Sequence, residues 1–307
     1  GIREPLYVTA LKHAGCQVAA KDHPQHIETM NLEPYQEKVR AWFEKVSLPE
    51  TQAEEKPALE VLDLDFSYIT GKPILSDIHF RINKGEMLAI VGKNGAGKST
   101  MMNLISGIYE VDEGKIFFHG EDVTNIPSHI RARKGIGRTF QTPRFLYRSN
   151  IRDNLMLGVD LHDQLGYLKS FIGIKGSDFL KELDELMEMV GFTFDWDEDI
   201  TAIPFGQRKI LEIVRSMLSH PKVMLVDEPA AGLTTQEIEQ ARNLLMFAAK
   251  KRNIGILLIE HQMDLVMSSC ENIDVLVFGE ILARGLPHEI AGNPMVLEAY
   301  LGRDFDD

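Results

Sequence analysis

From Leu59 onward the chain alternates between two hydrophobic patterns. Short continuous apolar runs predict buried strands, and apolar residues at helical spacing predict the helices that separate them. The predicted buried strands are 87–91, 223–226 and 256–259, and the predicted helices are 99–106, 210–218, 236–250 and 263–270. This alternation indicates an α/β fold with a mostly parallel sheet that helices cover on both faces.

A second set of strands is predicted from other signals. Residues 59–66 and 78–82 alternate apolar and polar side chains, which is typical of strands with one buried face. Residues 115–118 follow a turn and form another short strand, while 273–278 and 281–283 resemble an antiparallel pair. We therefore expect antiparallel strands beside the parallel sheet.

The stretch from about 150 to 200 is predicted to be mainly helical. Its clearest signal is a set of apolar residues at helical spacing, which Gly191 ends: Phe179, Leu180, Leu183, Leu186, Met187 and Val190.

Residues 1–56 differ from the rest of the chain. Pro34 suits the start of a helix, and Val39, Trp42, Phe43 and Val46 recur at amphipathic spacing. Three interpretations of this apolar stripe stay open: it packs on its own domain, it docks a partner, or the segment is disordered. Because residues 52–57 have the polar composition of a linker, we divide the chain into an extension of unknown role, 1–56, and a domain, 57–307.

Composition narrows the class of protein. The chain has 307 residues, of which 44% are hydrophobic and 26% charged, as is ordinary for a soluble globular protein. No apolar run approaches the ~18 residues of a membrane span, and the polar start predicts no signal peptide. Two cysteines, Cys16 and Cys270, fit a reducing cytosol. Any membrane link is therefore expected to come through a partner.

Charge argues against nucleic acid as the main ligand, since the net charge is −13. The acidic chain contains one local basic cluster, which we interpret as a solvated face: Arg131, Arg133, Lys134 and Arg138.

A glycine-rich turn between a predicted strand and a predicted helix has the G-x-x-x-x-G-K-[ST] spacing of a phosphate loop. Glycines let the backbone turn its N–H groups toward phosphates, which the helix N-terminus also attracts. Lys98 is expected to reach the β- and γ-phosphates, and the Ser99 hydroxyl to bind Mg²⁺. The predicted nucleotide-binding residues of this loop are Gly92, Asn94, Gly95, Ala96, Gly97, Lys98, Ser99 and Thr100.

Two adjacent carboxylates, Asp227 and Glu228, end the predicted strand 223–226. The carboxyl edge of a parallel sheet is where ligands bind in open α/β folds. Asp227 can hold Mg²⁺, and Glu228 can act as the base that polarises the attacking water.

With these motifs in place, residues from about 59 to 302 resemble the ATPase subunit of an ABC transporter. The resemblance implies a RecA-like core, an antiparallel β subdomain and a helical subdomain at about 144–204. Gln141, in the segment RTFQTP, resembles the glutamine that contacts Mg²⁺ and water in this family, and His261, in LLIEH, resembles the switch histidine. Tyr68 lies where the family stacks an aromatic ring on adenine, with Phe66 as the competing candidate.

The family's signature, commonly LSGGQ, falls at residues 203–207, where Gly206 and Gln207 match and Pro204 replaces the serine. In the family that serine donates to the γ-phosphate of the ATP held by the other subunit. Losing a charge-assisted hydrogen bond costs about 1.5–3 kcal/mol, or roughly ten- to hundredfold in rate. Either the Gly206 amide and the helix dipole suffice, or this half-site is slow or silent. Thr234 also departs from the family's common Asp or Asn.

Several stretches are most similar to the ATPases of branched-chain amino acid importers, among them GRTFQ, DEPAAGL and IEHQMDLVM. The resemblance implies ATP and Mg²⁺ as cofactors, a second ATPase subunit, membrane permease subunits and, indirectly, a solute-binding protein. It places the chain peripherally on the cytoplasmic side of the plasma membrane. Urea or amide importers, a lipopolysaccharide exporter and a regulatory subunit beside an active paralogue are the alternatives.

Overall fold

A computed structural model describes residues 56–159 and 177–301 of the chain. The helix predicted from Pro34 and residues 160–176 of the stretch predicted to be mainly helical lie outside the described residues. No helix in the two described ranges is both long and apolar enough to cross a membrane.

The described residues form ten strands and nine α-helices, with a short 3₁₀ turn at Ile200–Ala202. The strands are β1 Leu59–Ile69, β2 Lys72–Ile82, β3 Met87–Val91, β4 Glu113–Phe118, β5 Glu121–Asp122, β6 Ile136–Arg138, β7 Val223–Asp227, β8 Gly255–Ile259, β9 Asn272–Val277 and β10 Glu280–Gly285. The helices are α1 Lys98–Ile105, α2 Ser128–Lys134, α3 Ile151–Val159, α4 Ser177–Val190, α5 Phe205–Leu218, α6 Thr235–Arg252, α7 Met263–Ser269, α8 Pro287–Ala291 and α9 Pro294–Leu301.

A six-stranded sheet with the order β10-β9-β3-β8-β7-β6 forms the centre of the fold. All its neighbouring strands are parallel except the β9–β10 pair. Every residue of β3, β7 and β8 is buried, because helices cover one face and α1 with a second sheet covers the other. Alternate residues of β3 accordingly enter two different cores, Met87 and Ala89 one and Leu88 and Ile90 the other. The predicted parallel sheet and antiparallel pair are both confirmed.

The second sheet is antiparallel, with the order β2-β1-β4-β5. Its strand β2 begins at Lys72, six residues before the predicted start at 78. Register shifts between β1 and β2 explain the difference, because bulges break the strict alternation on which the prediction rested.

Helix α4 confirms the helical pattern that Gly191 was expected to end. Gly191 has a φ of 66° and stops the helix, as a left-handed residue commonly does. Leu183, Leu186, Met187 and Val190 are buried in the same core as α5 and α6. The division into subdomains at about 144–204 stays a prediction.

The interpretation of the basic cluster as a solvated face is wrong for two of its four members. Arg131 is only 1% exposed and donates to four backbone carbonyls, including Leu104 and Ile105 at the end of α1. Burial lowers the pKa of Arg131 to about 10, against the opposing charge of Asp122. The Arg138 side chain is only 9% exposed, whereas Arg133 is exposed. Patterns of charge in a sequence do not separate these cases, because the acceptors are backbone oxygens (Arg131) or side-chain oxygens (Arg138) of other elements.

We expect Arg131→Met to lower the free energy of unfolding by at least about 3 kcal/mol, since several buried carbonyls would lose their donor. Arg133→Met, on the same helix, should change it by less than about 0.5 kcal/mol. Urea denaturation of both variants measures the difference. Equal stability of the two variants would show that the buried contacts of Arg131 contribute nothing.

Candidate nucleotide-binding and catalytic site

The phosphate loop joins the end of β3 to the start of α1, as the motif requires. Its glycines leave room for close backbone approaches: a Cβ on Gly92 would lie 2.2 Å from the carbonyl oxygen of Leu276. Gly97, with a φ of 107°, caps α1, and a Cβ there would meet Leu75 at 2.5 Å. The loop is therefore packed closely against its neighbours at Gly92 and Gly97.

Lys98 spans this loop from the first turn of α1. Its Nζ donates to the carbonyls of Gly92 at 2.6 Å and Lys93 at 2.9 Å. Burial lowers the pKa of Lys98, and the carboxylates of Glu228 and Asp227 oppose this effect. The lysine ammonium thus lies within the electrostatic reach of both carboxylates at the end of β7.

Two other predicted catalytic residues, Gln141 and His261, contact Glu228. Gln141 Nε2 donates to Glu228 Oε2 at 2.7 Å, and His261 Nε2 lies 3.2 Å from Glu228 Oε1. Glu228 has a φ of 45°, in the left-handed region that non-glycine residues rarely adopt. Such backbone conformations cluster at functional sites and persist only where the surroundings hold them. The structure therefore brings together residues that are far apart in the sequence.

Asp227 is buried beside this group. Burial raises the pKa of Asp227, while Arg138, whose Nη2 lies 3.7 Å from Asp227 Oδ2, opposes the shift. Arg138 also donates from Nη1 to Asn103 Oδ1 and Ser106 Oγ at 2.8 Å each, so it ties β6 to α1 and its following turn.

The predicted metal-binding residues offer a chemically consistent set. Ser99 has a hydroxyl, Asp227 a carboxylate and Gln141 an amide oxygen that its hydrogen bond through Nε2 does not use. Oxygen ligands of this kind are those that Mg²⁺ prefers. The donor set therefore fits Mg²⁺.

Buried charged residues at the site were missed from the sequence, among them Glu260 and Lys209. Glu260 is 1% exposed and accepts the backbone N–H groups of Ala230, His261 and Gln262 at 2.7, 2.6 and 3.2 Å. Lys209 is buried on α5, and its burial lowers its pKa against the opposing charges of Glu260 and Glu228. In the sequence, Glu260 stands between an apolar strand and His261, and this position was the signal that could have revealed it.

The aromatic residues upstream of the phosphate loop differ in exposure. Phe66 is 7% exposed and Tyr68 is 53% exposed, so Tyr68 offers more ring surface to a ligand. The Tyr68 hydroxyl lies 3.0 Å from Thr100 Oγ1 on α1, and its ring meets Phe66 edge to face. These contacts favour Tyr68 over Phe66 as the residue that faces a base.

The signature segment, residues 203–207, forms the start of α5. Pro204 is the N-cap, and among the described residues no side-chain hydrogen bond caps the helix. Gly206 is buried, and a Cβ there would lie 2.2 Å from Glu237 Oε1. A side chain at position 206 would therefore displace the Glu237 carboxylate, which belongs to the capping box of α6.

Thr234 begins α6 as its N-cap. The Glu237 N–H donates to Thr234 Oγ1 at 3.3 Å, and the Thr234 N–H donates to Glu237 Oε2 at 2.8 Å, which completes a capping box. Threonine, aspartate and asparagine all serve as N-caps. Thr234 therefore preserves the N-cap of α6, although it differs from the Asp or Asn that the family commonly has at this position.

Comparison with known proteins agrees with this geometry. Residues 75–231 match the family described as ABC transporter, and residues 280–306 match one described as branched-chain amino acid ATP-binding cassette transporter. The chain belongs to the ABC transporter ATPase family. A further match, over residues 1–66, is to a family described as ATP-binding cassette cobalt transporter, and it crosses the boundary predicted at residue 56.

Individual relatives extend the comparison. The high-affinity branched-chain amino acid transport ATP-binding protein BraF of Pseudomonas aeruginosa is 33% identical over 257 residues, covering 80% of this chain and 98% of BraF. The solved ADP conformation of MJ1267, an ATP-binding cassette of an ABC transporter, has a TM-score of 0.68 at 29% identity, and the match covers 80% of this chain and 99% of MJ1267.

Other relatives are longer than this chain. A protein of Photobacterium profundum, PBPRA2240, is named as an ABC transporter ATP-binding protein and is 31% identical over 298 residues. That match covers 97% of this chain and 51% of PBPRA2240, so this ABC ATPase spans about half the length of that relative.

We expect Thr234→Ala to lower the free energy of unfolding by about 1 kcal/mol, because the capping box would be lost. Thr234→Asp should keep the stability within about 0.5 kcal/mol, because aspartate also caps. Thermal unfolding of both variants measures this, and a Thr234→Asp variant as unstable as Thr234→Ala would contradict the capping role.

Proposed function

We propose that the chain hydrolyses ATP to power a membrane transporter, and that the transporter imports branched-chain or related amino acids. The observation that carries the ATPase role is the contact of Glu228 with both Gln141 and His261 at the sheet edge that Lys98 also faces. The similarity to BraF and the match at residues 280–306 support the class of cargo.

Hydrolysis is assigned to the residues of this edge. Lys98 and the amides of the phosphate loop bind the phosphates, and Tyr68 stacks on the adenine. Glu228 takes the proton of the attacking water, and His261 steadies the γ-phosphate. Mg²⁺, held by Ser99, Asp227 and Gln141, would neutralise phosphate charge when bound. Catalysis of this kind is mostly positioning and electrostatic stabilisation.

A second ATPase subunit, identical or paralogous, completes each site with its own signature segment. Gly206 and Gln207 contact the ATP held by the other subunit. Pro204 offers neither a hydroxyl nor an N–H. The Gly206 amide and the positive end of α5 replace the missing contact.

The permease contact is assigned to a cleft of about 410 Å³ beside the Gln141 loop. Residues that follow α1, together with α2, α3 and α5, line this cleft, including Ile108, His129, Phe140 and Leu157. A permease segment seated there would touch both the loop of Gln141 and the helix of the signature. The chain would thus be held peripherally on the cytoplasmic side of the membrane, with a solute-binding protein acting through the permease and no nucleic acid involved.

A second candidate is one cassette of a two-cassette transporter ATPase. The match of residues 1–66 to the cobalt transporter family and the double length of PBPRA2240 support it. In that case the second cassette of the same polypeptide would supply the partner signature. Mass measurement of the protein purified from its natural source distinguishes the two candidates.

Glu228→Gln should leave the affinity for ATP within about twofold and reduce turnover by at least about 10²-fold, because the amide cannot accept the proton of water. ATP binding and phosphate release measure the two effects. Glu239→Gln, the same change at an exposed residue of α6, is the matched control. Unchanged turnover in Glu228→Gln would remove Glu228 from the role of base.

Pro204→Ser tests whether the Gly206 amide and the helix dipole suffice. We expect turnover at saturating ATP to change by less than about tenfold. Pro204→Ala restores the backbone N–H without a hydroxyl and serves as the control. A rise of about tenfold or more in Pro204→Ser alone would instead indicate that the wild-type half-site is slow and regulatory.

A further inference from the structure

Helix α5, which begins with the signature segment, carries two buried charged side chains one turn apart. Lys209 and Glu212 are 4% and 2% exposed. Residues three apart on a helix lie on the same face, so both side chains project from one side of α5. Buried charges are costly unless hydrogen bonds compensate them, and the partners of these two therefore matter.

Lys209 binds the backbone of the turn that carries the base. Its Nζ donates to the carbonyl of Glu228 at 2.6 Å and to that of Ala231 at 3.0 Å. The carboxylate of Glu260 binds the same turn, because it accepts the N–H of Ala230 at 2.7 Å. A cation from α5 and an anion from the end of β8 thus both bind the turn that carries the left-handed backbone of Glu228.

Glu212 binds the loop that carries Gln141. Its carboxylate accepts the N–H of Arg144 at 3.1 Å and that of Phe140 at 3.4 Å, one residue before Gln141. Arg215 adds a contact from the next turn of α5, donating to the Arg144 carbonyl at 2.6 Å. The loop is therefore held from α5 on both sides of Gln141.

We propose that Lys209 and Glu212 are positioning residues through which the signature helix sets Glu228 and Gln141 of its own chain. This rests on the proposed function, in which the start of α5 contacts the ATP of the other subunit. A displacement of α5 by that ATP is transmitted at Lys209 to the base and at Glu212 to the glutamine. The two sites of a dimer are thereby coupled through a single rigid helix.

The test compares Lys209→Met, Lys209→Arg and Lys251→Met in the full chain. Methionine keeps the length of the side chain and removes its donors, whereas arginine keeps a charged donor. Lys251 is an exposed lysine on α6 and gives the matched control. We expect Lys209→Met to lower kcat about tenfold or more, with KM for ATP within about twofold. The reason is that a displacement of the Glu228 carboxylate by even about 1 Å would slow the reaction strongly. Lys209→Arg should recover kcat to within about threefold of wild type.

Two results would overturn the proposal. One is a kcat for Lys209→Met within about twofold of wild type and of Lys251→Met. The other is loss of kcat and of ATP affinity together, with no rescue by Lys209→Arg, because that outcome describes a general structural role. If Lys209→Met does not fold, Lys209→Gln, which keeps a shorter donor, is judged by the same criteria.

Glu228→Gln, measured in parallel, separates this proposal from the proposed function. Full turnover in Glu228→Gln would refute the base role itself. Loss of turnover in Glu228→Gln together with full turnover in Lys209→Met would refute only the positioning role.

Discussion

The structure of the site depends on how the chain holds Glu228 in a backbone conformation that glutamate disfavours. Its N–H donates to the carbonyl of Ile259 at 2.8 Å, and its own carbonyl accepts from Lys209 at 2.6 Å. For residues other than glycine, such conformations cost roughly 1–3 kcal/mol, so neighbouring groups must hold the backbone in place. The result is a carboxylate directed at Gln141 and His261 from the end of a buried strand.

This arrangement gathers charged groups where an α/β fold is otherwise apolar. Asp227, Glu228 and Glu260 lie close to Lys98, Arg138 and Lys209, so the acidic and basic groups largely balance. Burial lowers the pKa of Lys98 and raises the pKa of Asp227, which in each case favours the neutral form. Nearby opposite charges oppose both shifts. A balanced, partly buried cluster is suited to receiving the additional negative charge of a triphosphate together with its metal.

Much of the fold and of this site could be predicted from the sequence, and the failures have two physical causes. The phosphate loop and Asp227 were predictable because local spacing between a strand and a helix fixes their positions. Arg131, Arg138, Lys209 and Glu260 were misjudged or missed because their partners are backbone groups or side chains of distant elements. A backbone carbonyl has no signature in the sequence, so a charged residue that binds one looks like a solvated one. The early start of β2 escaped prediction because its bulges interrupt alternation.

If the second subunit is identical, as the proposed function allows, this chain contains both halves of a composite ATP site. Specific ATP hydrolysis activity, measured on the purified chain across a wide range of its own concentration, tests this most directly. We expect an activity that rises steeply with concentration, because each ATP needs the signature segment of a second copy. Stoichiometric ATP binding without hydrolysis at any concentration would contradict it and would require a different subunit to supply what Pro204 lacks.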